Sequence, residues 1–140
     1  MITMVPPYLA EPGREFYFLG PCEECEGCRF NKICLSLEEG SRYRVTGLRP
    51  QNHPCASFDG ERVTVAEVEK VPTPAAIPKR SAIEGSVITY HEVECFNAGC
   101  PNYKRCKPIG KAEGMKNRIV TLGKKIECPI GLDLVEAELF

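Results

Sequence analysis

The 140-residue chain has no tryptophan, only two histidines and a net charge of −1. Without Trp, any core must be built from aliphatic residues and a few Phe and Tyr. The near-neutral balance excludes a strong overall field toward nucleic acid or a membrane surface. No apolar run approaches the roughly 18 residues of a membrane-spanning helix. The first residues, MITMVPPYLAEPG, have no basic start and no long apolar stretch. A signal peptide is therefore not expected, and the cytoplasm is the expected compartment. Catalytic signatures are missing too: there is no HExxH, no GxSxG, no P-loop and no C-x3-C-x2-C of the radical-SAM type. If the chain carries chemistry, a metal is its expected carrier, and the reading leans away from an enzyme.

What the chain does have is nine cysteines. In a reducing compartment, clustered cysteines point to metal ligation; disulfides or unpaired core thiols are the competing readings. Cys25, Cys28, Cys34 and Cys55 are spaced C-x2-C-x5-C-x20-C, and Cys95, Cys100, Cys106 and Cys128 are spaced C-x4-C-x5-C-x21-C. The flanks match as well. EFYFLG at 15–20 corresponds to SVITYHEV at 86–93, and RYRVTGL at 42–48 to NRIVTLG at 117–123. VAEVEKV at 65–71 aligns column by column with LVEAELF at 134–140. The chain thus reads as an internal repeat of roughly 57 residues.

The repeated runs alternate apolar and polar residues and are rich in β-branched residues, which marks strands. Helix is expected only as single turns near Leu35–Glu39 and Lys111–Lys116. The expected fold is small and mainly β, or α+β with little helix. It comprises two duplicated, metal-stapled modules of about three strands each, related by pseudo-twofold symmetry. Residues 1–71 form the first module and 81–140 the second. Between them, 72–80 is expected to be a semi-rigid linker because of Pro72, Pro74 and Pro78.

Structural zinc usually takes two close cysteine pairs. Here each set has three close cysteines and one distant, an arrangement frequent in iron–sulfur sites. Two 4Fe-4S clusters are therefore favoured, with zinc as the alternative. Cys25, Cys28 and Cys34 resemble the end of the cluster loop of helix-hairpin-helix DNA glycosylases, a likeness of ten residues that implies nothing about activity. Cys22 has no counterpart in the second half and is read as a spare thiol or a substitute ligand of the first site. His53 and His91 are read as structural. The second half is basic, with Lys104, Arg105, Lys107, Lys111, Lys116 and Arg118 as candidate RNA or DNA contacts.

Taken together, CEECEGCRFNKIC, the YRVTGLRP and HPC segments, and CFNAGCPNYKRC resemble an uncharacterised archaeal family, number 0179 among uncharacterised protein families. The resemblance covers essentially the whole chain. It implies an archaeal cytoplasmic protein whose cysteine clusters serve as iron–sulfur redox centres, and no known substrate or reaction. The expected role is electron transfer or redox sensing with a redox protein as partner. The alternative is a zinc-stapled module that binds nucleic acid or protein.

Overall fold

A computed structural model describes residues 1–140 except Cys22 and Asp59, and for Ser57 the backbone only. The chain divides into two units, Met1–Val71 and Pro72–Phe140. The first unit contains β1 (Ile2–Val5), β2 (Glu15–Tyr17), α1 (Asn31–Cys34), β3 (Arg42–Pro54) and β4 (Arg62–Val71). The second contains β5 (Thr73–Pro78), β6 (Val87–Thr89), α2 (Tyr103–Cys106), β7 (Lys116–Ile126) and β8 (Leu134–Leu139). Each unit holds one four-stranded antiparallel sheet. The strand orders, β1-β4-β3-β2 and β5-β8-β7-β6, are the same topology.

The fold is mainly β with very little helix. Each sheet has four strands where three were expected, because β1 and β5 were not anticipated. β5 falls on the segment expected to be a linker. It pairs with β8 from Thr73↔Leu139 to Pro78↔Leu134. Proline lacks the N–H that a central strand needs, but β5 lies at the edge of its sheet. There, alternate N–H groups point away from the only neighbour, and proline is tolerated. Ala75, Ala76 and Ile77 are buried, so the segment contributes to the core.

The helical turns also differ from expectation. Residues 35–39 and 111–115 form turns and bends, and the single α-turns lie upstream, each ending on the third cysteine of its set. The register corrects the column alignment of the last strands. Thr3 pairs with Ala66 and Ala75 with Ala137, so Ala66 and Ala137 are equivalent, two positions away from the alignment by pattern. A two-residue slip keeps every side chain on its own face, which is why alternation cannot detect it.

The core of the first unit joins Val5, Leu37, Tyr43, Val45, Ala66 and Val68. Tyr43 is buried, and its hydroxyl accepts a hydrogen bond from the Glu38 amide at 2.8 Å. In the second unit Ala75, Ile77, Tyr90, Ile119, Val135, Ala137 and Leu139 form one cluster. A second cluster joins Ala76, Val93, Cys106, Ile126 and Leu134 and reaches the cysteines directly. Among the described residues, no helix is long and apolar enough to cross a membrane.

Candidate metal centres

The same backbone device presents the cysteines in both units. The Cys28 carbonyl accepts from the Asn31 amide (3.2 Å), opening α1, and the Cys34 amide donates to the Phe30 carbonyl (3.1 Å). In the second unit the Cys100 carbonyl accepts from Tyr103 (3.0 Å) and the Cys106 amide donates to Asn102 (3.0 Å). The common x5 step is therefore one turn followed by one turn of helix. The fourth cysteine follows the long central strand: Cys55 comes directly after β3, and Cys128 two residues after β7.

The difference in the long step, x20 against x21, has a structural origin. Phe18 and Tyr90 are equivalent, each pairing across the turn that precedes the central strand. Phe18 bonds Ser41 and Gly40, and Tyr90 bonds Met115 and Gly114. That turn leaves two more residues after the third cysteine in the second unit. The irregular stretch in the central strand, Leu48 to Asn52 in β3 and Leu122 to Lys125 in β7, is one residue shorter there. The two changes nearly cancel, and the fourth cysteine arrives at the same place in the sheet.

Cys25, Cys28, Cys34 and Cys55 line one cavity, and Cys95, Cys100, Cys106 and Cys128 line another. Within each set the thiols lie in one another's electrostatic field. Burial pushes the Cys34 thiol up to about 11, and Cys28, Cys55 and Cys25 push it further the same way, against a hydrogen bond from the Met4 backbone. Burial likewise raises the Cys106 thiol, with Cys100, Cys128 and Cys95 adding to the shift and Lys107 opposing it. The eight described cysteines are free thiols. Among the described residues, no set of three or more His, Cys, Asp or Glu side chains is arranged as a closed metal-ion site. The thiols are gathered and would have to draw inward around an ion or cluster. The donor set is all sulfur, which suits zinc or iron–sulfur clusters and not the hard cations.

The other candidates fall elsewhere. Cys22 lies outside the described residues. His53, in β3, stacks on Phe30 with ring centroids 4.1 Å apart, and the Arg29 guanidinium sits 4.7 Å from the Phe30 centroid. His91 Nδ1 is 2.6 Å from Glu113 Oε1, and Glu113 Oε2 accepts from the Glu92 amide at 2.7 Å. These bonds hold the Glu113 carboxyl below its ordinary range, the His91 bond contributing most.

The candidate basic residues of the second unit lie on α2, on the loops around it and on β7. Lys104 and Arg105 lie on α2 beside Cys106. Lys107 donates to the Val93 carbonyl and Lys116 to the Thr89 hydroxyl. Arg118 is exposed on β7, opposite Val87. Lys111 is half-buried on the loop before β7. A residue that sequence reasoning did not single out is Tyr90. It is buried, donates to the Cys106 carbonyl at 3.4 Å, and is pushed up to about 12, chiefly by burial. Its position after β6, level with the apolar Phe18, was the available signal.

The comparison with known proteins agrees with this whole-chain pattern. The model of the Uncharacterised protein family (UPF0179) matches residues 1–139. A UPF0179 protein of Thermoplasma acidophilum is 34% identical over 99% of this chain and 94% of its own length. Those of Methanococcus maripaludis and Methanocaldococcus jannaschii are 39% and 38% identical, over 95% of this chain and 91% and 89% of their own lengths. No solved structure matches. The chain belongs to the uncharacterised protein family UPF0179.

Proposed function

We propose that the two cysteine quartets hold two metal centres, most simply two 4Fe-4S clusters used in electron transfer or redox sensing in the cytoplasm. One observation carries this reading: each set of four thiols lines one cavity, and in both sets the last three are presented by the same turn, helix and strand end. Each unit is also small enough to benefit from a staple at the open end of its sheet. Cys25, Cys28, Cys34 and Cys55 would hold the first centre, and Cys95, Cys100, Cys106 and Cys128 the second. A bound cluster supplies a one-electron couple. The chain would contribute the thiolates, and at the second site a partly apolar surround that includes Val93, Ile126 and Leu134. The three-plus-one spacing supports clusters over zinc.

The test is metal and acid-labile sulfide content, with a visible spectrum, on protein purified without oxygen. About eight irons and eight sulfides per chain with a broad band near 400 nm support the reading. About two zincs and no colour overturn the redox role.

A second reading, zinc-stapled binding of RNA or DNA, draws on a difference between the sheets. In the first unit Arg44 pairs with Glu15 (3.3 Å) and Glu69 (3.0 Å), and Arg42 also pairs with Glu15. The equivalent Arg118 lies opposite Val87 on β6 and hydrogen-bonds through its backbone with Phe140. Val87 and Phe140 thus stand where the first unit has the side chains of Glu15 and Glu69. RNA binding that weakens steeply with salt would favour this reading.

A further inference from the structure

Because the two units share a topology, each is a control for the other, and their cysteine cavities differ greatly. The first opens into a cleft of about 750 Å³, while the second encloses about 20 Å³. The two units also differ at equivalent positions. Tyr8 and Arg80 each occupy the middle of a 3-10 turn of three residues capped by proline (Pro7–Leu9 after Pro6, Lys79–Ser81 after Pro78). Phe30 and Asn102 are the N-caps of α1 and α2. Leu19 and His91 follow the equivalent Phe18 and Tyr90. Three apolar residues lining the first cleft are thus polar in the second unit. In the second unit Tyr90 also donates to the Cys106 carbonyl and Lys107 to the Val93 carbonyl, two residues that line its cavity.

We propose that the first cleft is a binding site for a neutral, planar aromatic small molecule, seated beside the first cysteine quartet. The volume is that of a small-molecule pocket. Tyr8 is 68% exposed at the cleft, and Phe58, 36% exposed, lines it as well. Rings of this kind bind a flat apolar partner by stacking and edge contacts. Two of the charged groups that line the cleft are already engaged: Glu15 is held by Arg42 and Arg44, and Arg29 lies over the Phe30 ring. The second unit carries Arg80 and Asn102 at the matching positions. The inference rests on the proposed function only for the ligand's neighbour, the first metal centre.

Indole is a suitable probe, because it is neutral and planar and the chain has no tryptophan to mask its fluorescence. Equilibrium dialysis of the full-length protein should show saturable uptake of about one indole per chain. Tyr8→Arg, which installs the residue of the second unit, and Phe58→Ala should each weaken it about tenfold. Ile130→Ala, at the second cavity, should leave it unchanged. No saturable uptake, or equal binding by all three variants, overturns the proposal. Metal and sulfide measured on the same samples keep the two readings apart. Protein that carries both centres but takes up no indole overturns the cleft alone. Uptake by protein that carries no metal upholds the cleft without the centre.

Discussion

Phe30 and Asn102 have nearly the same backbone conformation, φ −99° and ψ 7° against φ −96° and ψ 4°, and each opens the helical turn that ends on a cysteine. Their side chains do different work. Phe30 stacks on His53 and carries Arg29 over its ring, while Asn102 makes no side-chain cap bond. The turn itself therefore does not depend on the ring. Phe30→Asn should fold and retain the metal content of the parent, losing only about 0.5–1.5 kcal/mol for the aromatic pair. Denaturant unfolding alongside metal analysis checks both halves of the statement; loss of metal would mean that the ring helps to shape the quartet.

Each quartet lines its own cavity, and the two cavities share no residue. Cys34→Ala and Cys106→Ala should therefore each remove about half of the bound metal and leave the other half in place. Elemental analysis of the two variants decides it. Complete loss in either one would show that the centres are not independent. The two substitutions should also differ in stability. Cys106 is 8% exposed and packs with Val93, Ile126 and Leu134, whereas Cys34 is half-buried at the cleft.

The cysteine sets were legible because ligand spacing survives without any knowledge of the sheet. The three repeated strand runs were legible because each alternates. β1 and β5 were not. β1 is only four residues long, and β5 is punctuated by Pro74 and Pro78, so its place at a sheet edge had to be known before its prolines made sense. The openness of the first cleft was equally hidden. The equivalence of Tyr8, Leu19 and Phe30 with Arg80, His91 and Asn102 emerges only from hydrogen bonds and register.

The strand character of β5 has a direct consequence. Ala75 is fully buried and pairs with Ala137. Ala75→Asp would place a carboxylate in the core cluster with Ile77, Ile119 and Leu139, where an unpaired charge is strongly unfavourable. The second unit should lose at least about 3 kcal/mol or fail to fold. In a semi-rigid linker outside the sheet the same change would be silent. Hydrogen exchange of the β8 amides gives the answer, since those amides lose protection only if β5 is part of the sheet.

Tyr90 links a strand end to the second quartet through its bond to the Cys106 carbonyl. Tyr90→Phe keeps the ring in the core and removes only the hydroxyl. The expected cost is about 1 kcal/mol, the net worth of one buried hydrogen bond. Thermal melting of the variant measures it. Phe18 already stands at the equivalent position of the first unit, so the ring alone is compatible with the fold. A loss of metal from the second site alone would add a positioning role for the hydroxyl.

The pairing of His91 with Glu113 sets a pH dependence whose sign follows from the carboxyl. Glu113 is held below its ordinary range, first by the His91 ring and then by the Glu92 amide. A carboxyl depressed in the folded state contributes stability above its unfolded value, and that contribution is lost as pH falls through the folded one. The turn that carries Glu113 should therefore loosen only at acid pH, below the point where exposed glutamates protonate, and neutral conditions should leave it intact. Because the pair is solvent-exposed, the effect on global stability is small, and the local titration is the better measurement. Carboxyl chemical shifts should place Glu113 below the other glutamates, and His91→Ala should move it back toward them. An unchanged midpoint in that variant would assign the shift to the Glu92 amide.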